Sequence, residues 1–254
     1  MIRKEELEQI SRLKRMSLRN VEKDYLLELC MQTVSRSGDA LIFKGGTALY
    51  KFYGLNRFSE DLDFTKNKKR FDLEELGNEI LRDSTLLGIS GALAENKTHA
   101  NSQSIVISFR GPLFDGARQS MSRVVIDVSS RERLETSLRS FHTPQYIEFP
   151  SFEMFVMGRE EMLAEKVRAL MTREKPRDAY DIWFMLRNGV KIDMALVKRK
   201  LAVYGLKYSW SEFKKALDSK ERMWKTDLTD LIIGTLPEYR VIAFDIEKAL
   251  KGIK

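Results

Sequence analysis

One short segment, residues 41–64, constrains the fold more than any other part of the sequence. It begins with the apolar run Leu41–Phe43, passes through two glycines, and ends with Asp61-Leu62-Asp63-Phe64. The apolar run predicts a buried strand, and the alternating sequence predicts a strand with one buried face. Between them, residues 47–53 carry apolar side chains at helical spacing before Gly54, which predicts a short helix that ends at this glycine.

Strand and helix patterns alternate through the first part of the chain, and only helical patterns follow. Two helices are expected from Glu5 to about Ser37, and a third between Phe71 and Leu87; further strands are expected at Ile105–Phe109, Val124–Val128 and Phe152–Met157. From Arg159 onwards the spacing is helical. We therefore predict an α+β protein, with a small mixed sheet flanked by helices over residues 1–157 and an all-helical domain over residues 158–254. A cleft between two such domains is the expected ligand site.

The charge balance favours a polyanionic partner. The chain has 44 Lys and Arg against 37 Asp and Glu, a formal net charge of +7, which is typical of proteins that bind nucleic acid. Basic runs such as Lys66–Arg70 also fit a solvated surface. The charged N-terminus lacks the apolar stretch of a signal peptide, and no segment approaches the roughly 18 uncharged residues of a membrane span. A cytoplasmic protein without a membrane partner is expected.

Several common chemistries lack the residues that they need. The sequence has two histidines and one cysteine, so a zinc site would depend on carboxylates. It contains no Walker phosphate loop and no dinucleotide-binding glycine motif. Neither histidine, His99 or His142, stands in a recognisable setting for a serine triad.

The glycine turn at Gly45 and Gly46 has the features of a phosphate site. Glycine lets the backbone turn tightly after a strand and approach a ligand closely. The helix that is expected to start at Thr47 would direct free N–H groups and the positive end of its dipole to the same place. A helix cap with no ligand is the structural alternative.

Three aspartates could provide a metal site. Asp61 and Asp63 share one face of the predicted strand, while Leu62 and Phe64 face the core. Asp127 interrupts an otherwise apolar strand, where an unpaired charge would be costly. Such hard oxygen ligands suit Mg²⁺ or Mn²⁺. Acids on a solvated strand are the structural alternative.

A second group of charged residues lies in the helical part. Lys166 falls at the margin of the apolar stripe of the helix Arg159–Arg173, whereas Glu161 and Glu165 are expected on the far side. The next helix is apolar except for a sector that holds Arg177, Asp178 and Asp181. An Arg177–Asp181 pair with Lys166 as a third member is the structural interpretation. In the functional one, Lys166 contacts substrate phosphates and Asp181 orients it.

These motifs together resemble a known family. Gly-Gly-Thr at residues 45–47, Asp-Leu-Asp-Phe at 61–64 and the later Asp127 are similar to the polymerase-β-type nucleotidyltransferase superfamily. Gly-Gly-Thr-Ala-Leu-x-Lys, Asp-Leu-Asp-Phe, Glu-x-Leu-Ala-x-Lys and Arg-Asp-x-Tyr-Asp, in this order over about residues 41–188, resemble the AbiEii/AbiGii nucleotidyltransferase toxins. The N-terminal domain is accordingly expected to be the nucleotidyltransferase domain.

The resemblance implies a function and a set of roles. It implies a toxin that moves an NMP from an NTP to an RNA hydroxyl, with the 3′ end of tRNA as the expected acceptor and an antitoxin protein as a partner. The implied metal ligands for Mg²⁺ or Mn²⁺ are Asp61, Asp63 and Asp127, the implied nucleotide-binding residues are Gly45, Gly46, Thr47, Lys51 and Lys166, and Lys166 and Asp181 join the three aspartates as catalytic residues. Transfer to a protein or to a small molecule such as an aminoglycoside, and a non-catalytic nucleotide- or nucleic-acid-binding module, are the alternatives.

Overall fold

The computed structural model describes residues 1–68 and 71–251. Lys69 and Arg70 of the basic run therefore lie outside the described residues. The chain divides into two compact units. The first consists of Met1–Gly54 and Phe58–Val156, and the second consists of Leu55–Arg57 and Met157–Lys254. The short segment Leu55–Arg57 thus belongs with the C-terminal part of the chain, although in sequence it comes directly after Gly54, at which the predicted short helix ends.

The first unit contains a mixed sheet with helices, as expected. Its helices are α1 (Lys4–Lys14), α2 (Leu18–Ser35), α3 (Gly45–Tyr53) and α4 (Leu73–Leu86), with short 3₁₀ turns at Gly38–Ala40 and Arg118–Ser120. The strands are β1 (Leu41–Lys44), β2 (Leu62–Lys66), β3 (Ser90–His99), β4 (Ser102–Arg110), β5 (Ser122–Ser129), β6 (Ser137–His142) and β7 (Phe152–Met157). They form a seven-stranded sheet in the order β3-β4-β5-β2-β1-β7-β6.

The centre of the sheet is formed by the strands that the apolar patterns predicted. β1 pairs with β2 antiparallel and with β7 parallel, and β2 pairs with β5 parallel. Phe43 lies opposite Phe64 in the β1–β2 register, and their rings are 5.0 Å apart between centroids. Both side chains and that of Leu62 are fully buried, so the prediction that Leu62 and Phe64 face the core is confirmed.

Two strands, β3 and β6, escaped the sequence analysis, and both lie at the edges of the sheet. β3 is exposed along most of its length and is interrupted by a register shift between Leu93 and Glu95. Edge strands carry charged and small residues that discourage further strand pairing. They therefore lack the alternation of apolar and polar residues by which a half-buried strand is recognised.

A buried ionic network joins α3 to α2. The Lys51 ammonium on α3 lies 2.5 Å from Asp24 Oδ1 and 2.7 Å from Glu28 Oε1 on α2, and the Lys51 side chain is only 5% exposed. The Tyr146 hydroxyl donates to Asp24 Oδ2 at 2.9 Å, and His142 Nε2 lies 2.9 Å from Glu28 Oε2. We call these five residues the Lys51 network. The ammonium expected to contact a nucleotide is thus engaged in holding α3 in place.

The network also fixes the charge state of its acids. Burial acts to raise the pKa of Asp24 and of Glu28, but the nearby Lys51 ammonium outweighs it and holds the pKa of both carboxyls below their ordinary values. Desolvation likewise acts to lower the pKa of Lys51, and the two carboxylates outweigh it and raise this pKa. The network therefore favours the charged form of all three groups.

The second unit is built mainly of helices. These are α5 (Arg159–Thr172), α6 (Arg177–Arg187), α7 (Met194–Ala202), α8 (Trp210–Asp218), α9 (Trp224–Leu228) and α10 (Tyr239–Leu250), with a 3₁₀ turn at Glu221–Met223. α5 packs against α6, α7 and α8. A β-bridge between Arg57 and Ile232 joins the segment Leu55–Arg57 to the rest of this unit. No helix in the described part of the chain is long and apolar enough to cross a membrane.

Glu161 and Glu165, which were expected on the side of α5 away from its apolar stripe, are buried. Glu161 is fully buried and Glu165 is 9% exposed. Lys200 of α7 donates to Glu161 Oε1 at 2.7 Å and to Glu165 Oε1 at 3.3 Å. The helical periodicity of α5 identifies its apolar face, but it does not show that a second helix covers the charged face with a matching cation.

The Lys51 network predicts acid-sensitive stability. Because the folded-state pKa values of Asp24 and Glu28 are lowered, their stabilising contribution is present above their unfolded pKa values of about 4 and is lost as pH falls through the lower, folded values. We expect the free energy of unfolding, measured with urea, to decrease below about pH 4. Lys51→Met leaves Asp24 with Lys14 as its cation, 3.3 Å away, and Glu28 with His142, and it should cost about 3–5 kcal/mol at pH 7.

The exposed pair of Lys97 and Glu95 supplies the matched control, since Lys97→Met removes a cation from a solvated pair. That change should alter stability little. Equal effects of Lys51→Met and Lys97→Met would contradict the structural role of the network.

Candidate functional site

A row of three charged side chains crosses the centre of the sheet. Lys44, at the end of β1, lies opposite Asp63 of β2, and Asp63 lies opposite Asp127 of β5. Residues in register point to the same face of a sheet, and neighbouring strands are about 4.8 Å apart. Lys44 is buried, whereas Asp63 and Asp127 are half-buried. Two of the predicted metal ligands are therefore adjacent, with a cation beside them.

The glycine turn lies directly against this row. Gly45 has φ +78°, a left-handed conformation that side chains other than glycine rarely adopt. A Cβ on Gly45 would collide with the Asp63 carboxylate oxygen and would lie 3.0 Å from Asp63 Cβ and Cγ. Glycine is thus required at this position by backbone conformation and by the close approach of the aspartate.

Helix α3 starts at Gly45, two residues before the predicted start at Thr47. The residues of its first turn are therefore Gly45, Gly46 and Thr47. The first N–H groups of a helix have no partner within the helix and form an anion-binding end. Both glycines thus contribute backbone donors in addition to making the turn.

Thr47 connects the helix to the third predicted ligand. Its hydroxyl donates to the carbonyl oxygen of Asp61 at 2.5 Å, and the threonine is fully buried. Asp61 lies just before β2 and is half-buried. The hydrogen bond holds the segment that carries Asp61 against the start of α3, so the turn and the aspartates form one local structure.

The carboxylates of the site suit a metal ion that the substrate helps to bind. Within residues 1–68 and 71–251, no three or more His, Cys, Asp or Glu side chains are grouped closely enough to hold an ion. Mg²⁺ usually binds one or two carboxylates and completes its shell with waters and substrate phosphate oxygens. The adjacent carboxylates of Asp63 and Asp127 fit that pattern.

Lys44 is a residue of this site that the sequence analysis missed. The signal was present, because a lysine that ends an apolar strand immediately before two glycines must place its charge at the turn. In the structure it is the direct neighbour of Asp63 in the sheet. A cation in this position reduces the repulsion between the Asp63 and Asp127 carboxylates.

A buried ionic cluster in the second unit contains the other predicted residues. Lys166 Nζ lies 2.6 Å from Asp181 Oδ2 and 3.1 Å from Asp178 Oδ1. Asp181 accepts from Arg57 Nε and Nη2, both at 2.7 Å, and Asp178 accepts from Arg173 Nε and Nη2 at 2.6 and 2.7 Å. We call these five residues the Lys166 cluster.

The cluster corrects the predicted ion pair. Arg57, not Arg177, is the arginine that binds both carboxylate oxygens of Asp181. Arg177 donates to Asp227 at 3.4 Å instead. The i,i+4 rule for helix neighbours indicated Arg177, but Arg57 is 124 positions away in sequence, and no local pattern can reveal such a partner. Lys166 does contact Asp181, as the structural interpretation expected, but the arginine of this group is Arg57.

Both aspartates of the cluster are held in the charged form. Burial acts to raise their pKa values, but the cations around them outweigh it. Arg57 and Lys166 hold the pKa of Asp181 below its ordinary value, and Lys166 and Arg173 do the same for Asp178. Asp181 therefore presents a carboxylate that lies 2.6 Å from the Lys166 ammonium and holds it in position.

Removing the charge of Asp181 should destabilise the second unit. Asp181→Asn leaves Arg57 and Lys166 buried with less compensation, and we expect a loss of about 3–5 kcal/mol in the free energy of unfolding. Urea denaturation followed by circular dichroism measures this change. Asp227→Asn, which removes the partner of the more exposed Arg177, is the control and should cost much less. A similar loss of unfolding free energy in both variants would show that Asp181 is no more important for stability than the more exposed Asp227.

Comparison with known proteins identifies the family. A family model described as nucleotidyl transferase AbiEii toxin, type IV toxin–antitoxin system, matches residues 30–247. Comparison with curated proteins gives no match. Among solved structures, the fold is similar to that of MenT4, a nucleotidyltransferase toxin from Mycobacterium tuberculosis, with a TM-score of 0.70 and 19% identity over 100% of this chain and 91% of that one. It is also similar to that of JHP933 from Helicobacter pylori, with a TM-score of 0.58 and 20% identity over 93% and 92% of the two chains. Because the family model spans most of the sequence, the chain belongs to the AbiEii nucleotidyltransferase toxins of type IV toxin–antitoxin systems.

Proposed function

We propose that this nucleotidyltransferase moves a nucleoside monophosphate from an NTP to an RNA hydroxyl, with the 3′ end of tRNA as the acceptor, and that the reaction depends on Mg²⁺ or Mn²⁺. The observation that carries the proposal is the register of Asp63 with Asp127 beside the Gly45 turn. It combines two hard oxygen ligands with a helix start that can receive phosphate.

The proposal gives the residues of the first unit the following roles. The amides of Gly45 and Gly46 and the start of α3 receive the triphosphate. Asp61, Asp63 and Asp127 would hold the divalent ions together with phosphate oxygens of the NTP, and the ions would supply a lowered pKa for the attacking hydroxyl and compensation of charge on the leaving pyrophosphate. The hydroxyl oxygen attacks the α-phosphorus, its proton passes to the Asp127 carboxylate, and the bond from the α-phosphorus to the bridging oxygen of pyrophosphate breaks.

Two residues that the resemblance placed at the nucleotide have positioning roles in this proposal. Thr47 holds the Asp61 segment through its carbonyl, and Lys51 fixes α3 through Asp24 and Glu28. In the second unit, we assign the Lys166 ammonium to a substrate phosphate. Asp181 is the residue that positions it, because the carboxylate lies 2.6 Å from the ammonium.

An RNA acceptor is supported by the formal net charge of +7. The family is one of toxin–antitoxin systems, so an antitoxin partner belongs to the same proposal. The direct test is incubation of the protein with Mg²⁺, each labelled NTP in turn, and total tRNA. We expect label in the tRNA with at least one NTP. If label enters protein or an aminoglycoside but no RNA, the acceptor is a protein or a small molecule and the RNA proposal is wrong.

Asp63→Asn should abolish transfer without loss of the fold. Mutation of a residue that only supports a metal ligand typically lowers metal affinity or activity by about 10- to 100-fold. Because Asp63 is proposed as a ligand itself, we expect the transfer rate with Mg²⁺ to fall by more than about 100-fold. EDTA should stop the wild-type reaction, and added Mg²⁺ or Mn²⁺ should restore it. Asp39→Asn, in an exposed pair with Lys68, is the control and should retain activity. Normal transfer by Asp63→Asn, or full activity in EDTA, would refute the metal-binding role.

Gly45→Ala tests the close approach of the turn to Asp63. Gly54 is a matched control, since its φ is +72° and a Cβ there meets nothing within 4 Å. Both alanine variants should lose about 1–2 kcal/mol from the left-handed backbone. Only Gly45→Ala should also lose transfer activity, because its Cβ displaces the Asp63 carboxylate. Equal activity of the two variants would show that this approach does not matter for catalysis.

A further inference from the structure

A basic cavity lies entirely within the second unit. Its volume is about 470 Å³, and it is lined by residues at the end of α5, before α8 and along α8. Four of the lining side chains are basic and two are acidic. The basic residues are Arg173, Lys207, Lys215 and Lys220, and the acidic ones are Glu174 and Glu212. The remaining lining includes apolar side chains such as Leu170 and Leu206.

Lys220 is the unusual member of this cavity. It is only 4% exposed, and its ammonium donates to the backbone carbonyl of Arg173 at 2.8 Å. Over the part of the chain that the structure describes, no carboxylate forms an ion pair with it. Burial is the main cause that lowers its pKa, against the weaker opposite effects of Glu174 and Asp178. A buried cation without a carboxylate partner is costly, and an anionic ligand would compensate it.

The other cations differ from Lys220 in what they can offer. The Arg173 guanidinium is already bonded to Asp178, so its orientation is fixed by the Lys166 cluster. Lys207 and Lys215 are exposed at the rim. A lysine ammonium is a compact charge that binds phosphate as a point charge. The cavity therefore offers one buried and two exposed ammonium groups around a space large enough for a phosphate and its sugar.

We propose that this cavity binds a backbone phosphate of the RNA acceptor, an inference that rests on the proposed function. The glycine turn of the first unit is assigned to the NTP, so a second phosphate site serves the polyanionic substrate. Arg173 belongs both to the cavity and to the Lys166 cluster. The site thus connects acceptor binding to the cluster that holds the Lys166 ammonium.

The experiment compares two double variants of the full-length protein in binding to fluorescently labelled tRNA. The double variant Lys207→Ala with Lys215→Ala removes the two exposed ammonium groups at the rim of the cavity. Lys198→Ala with Lys225→Ala removes the same charge from exposed positions of α7 and α9 that do not line it. At about 50 mM salt the first variant should bind tRNA about tenfold more weakly than wild type. A plot of the logarithm of the tRNA association constant against the logarithm of the salt concentration should also be less steep, by about 0.7–0.9 for each phosphate that the variant no longer neutralises. The second should remain within about twofold of wild type.

Two further measurements separate the NTP site from the cavity and test the role of Lys220. Binding of NTP should be the same in both double variants, and a selective loss of NTP binding by the cavity variant would overturn the proposal. Equal tRNA binding by the two variants would also overturn it. Lys220→Met should weaken tRNA binding and keep or increase stability, whereas lower stability with unchanged tRNA binding would show a purely structural lysine.

Label transfer to tRNA distinguishes this inference from the proposed function. If the cavity variant transfers label at the wild-type rate with an unchanged KM for tRNA, the cavity proposal fails and the function stands. If wild type binds tRNA through the cavity and transfers no label to it, the function fails and the binding site stands.

Discussion

The antiparallel pairing of β1 with β2 is the constraint on which the site depends. Side chains alternate across a strand, so a shift of register by one residue would exchange the buried and the open faces. The burial of Phe43 against Phe64 fixes that register. Lys44 is consequently placed opposite Asp63, at the point where Gly45 turns the chain into α3. The hydrophobic core thus determines where the charged groups lie, although it makes no contact with a ligand.

The protein handles its buried charges in two different ways. Lys51 and Lys166 each lie against two carboxylates, which balance the charge of the ammonium group and hold it in position. Lys220 is also buried, but its hydrogen bond goes to a backbone carbonyl. A cation without a paired carboxylate keeps its charge available to an anion, at a cost in stability. The partners, and not burial itself, therefore distinguish a lysine whose charge is balanced within the protein from one whose charge an anionic ligand would balance.

Local sequence patterns predicted the helices and strands in which buried apolar residues recur at regular spacing. The central strands, the four helices of the first unit and the long helices α5 and α6 all follow this rule. The edge strands β3 and β6 do not, because neither presents a regular apolar face to the core. The same limit explains Glu161 and Glu165, which resemble a solvated helix face until Lys200 is brought against them. Charge pairs between distant segments have no periodic signal.

The sequence by itself determined the local backbone framework of the candidate site in the first unit. Two glycines between a strand and a helix, followed by two aspartates two positions apart, predict the tight turn and the second strand through local backbone geometry alone. Only the tertiary structure decided that Lys44 lies beside Asp63, that Lys51 is engaged with α2, and that Arg57 is the partner of Asp181. These contacts join segments far apart in sequence, and they are set by strand register and helix packing, which the core selects as a whole.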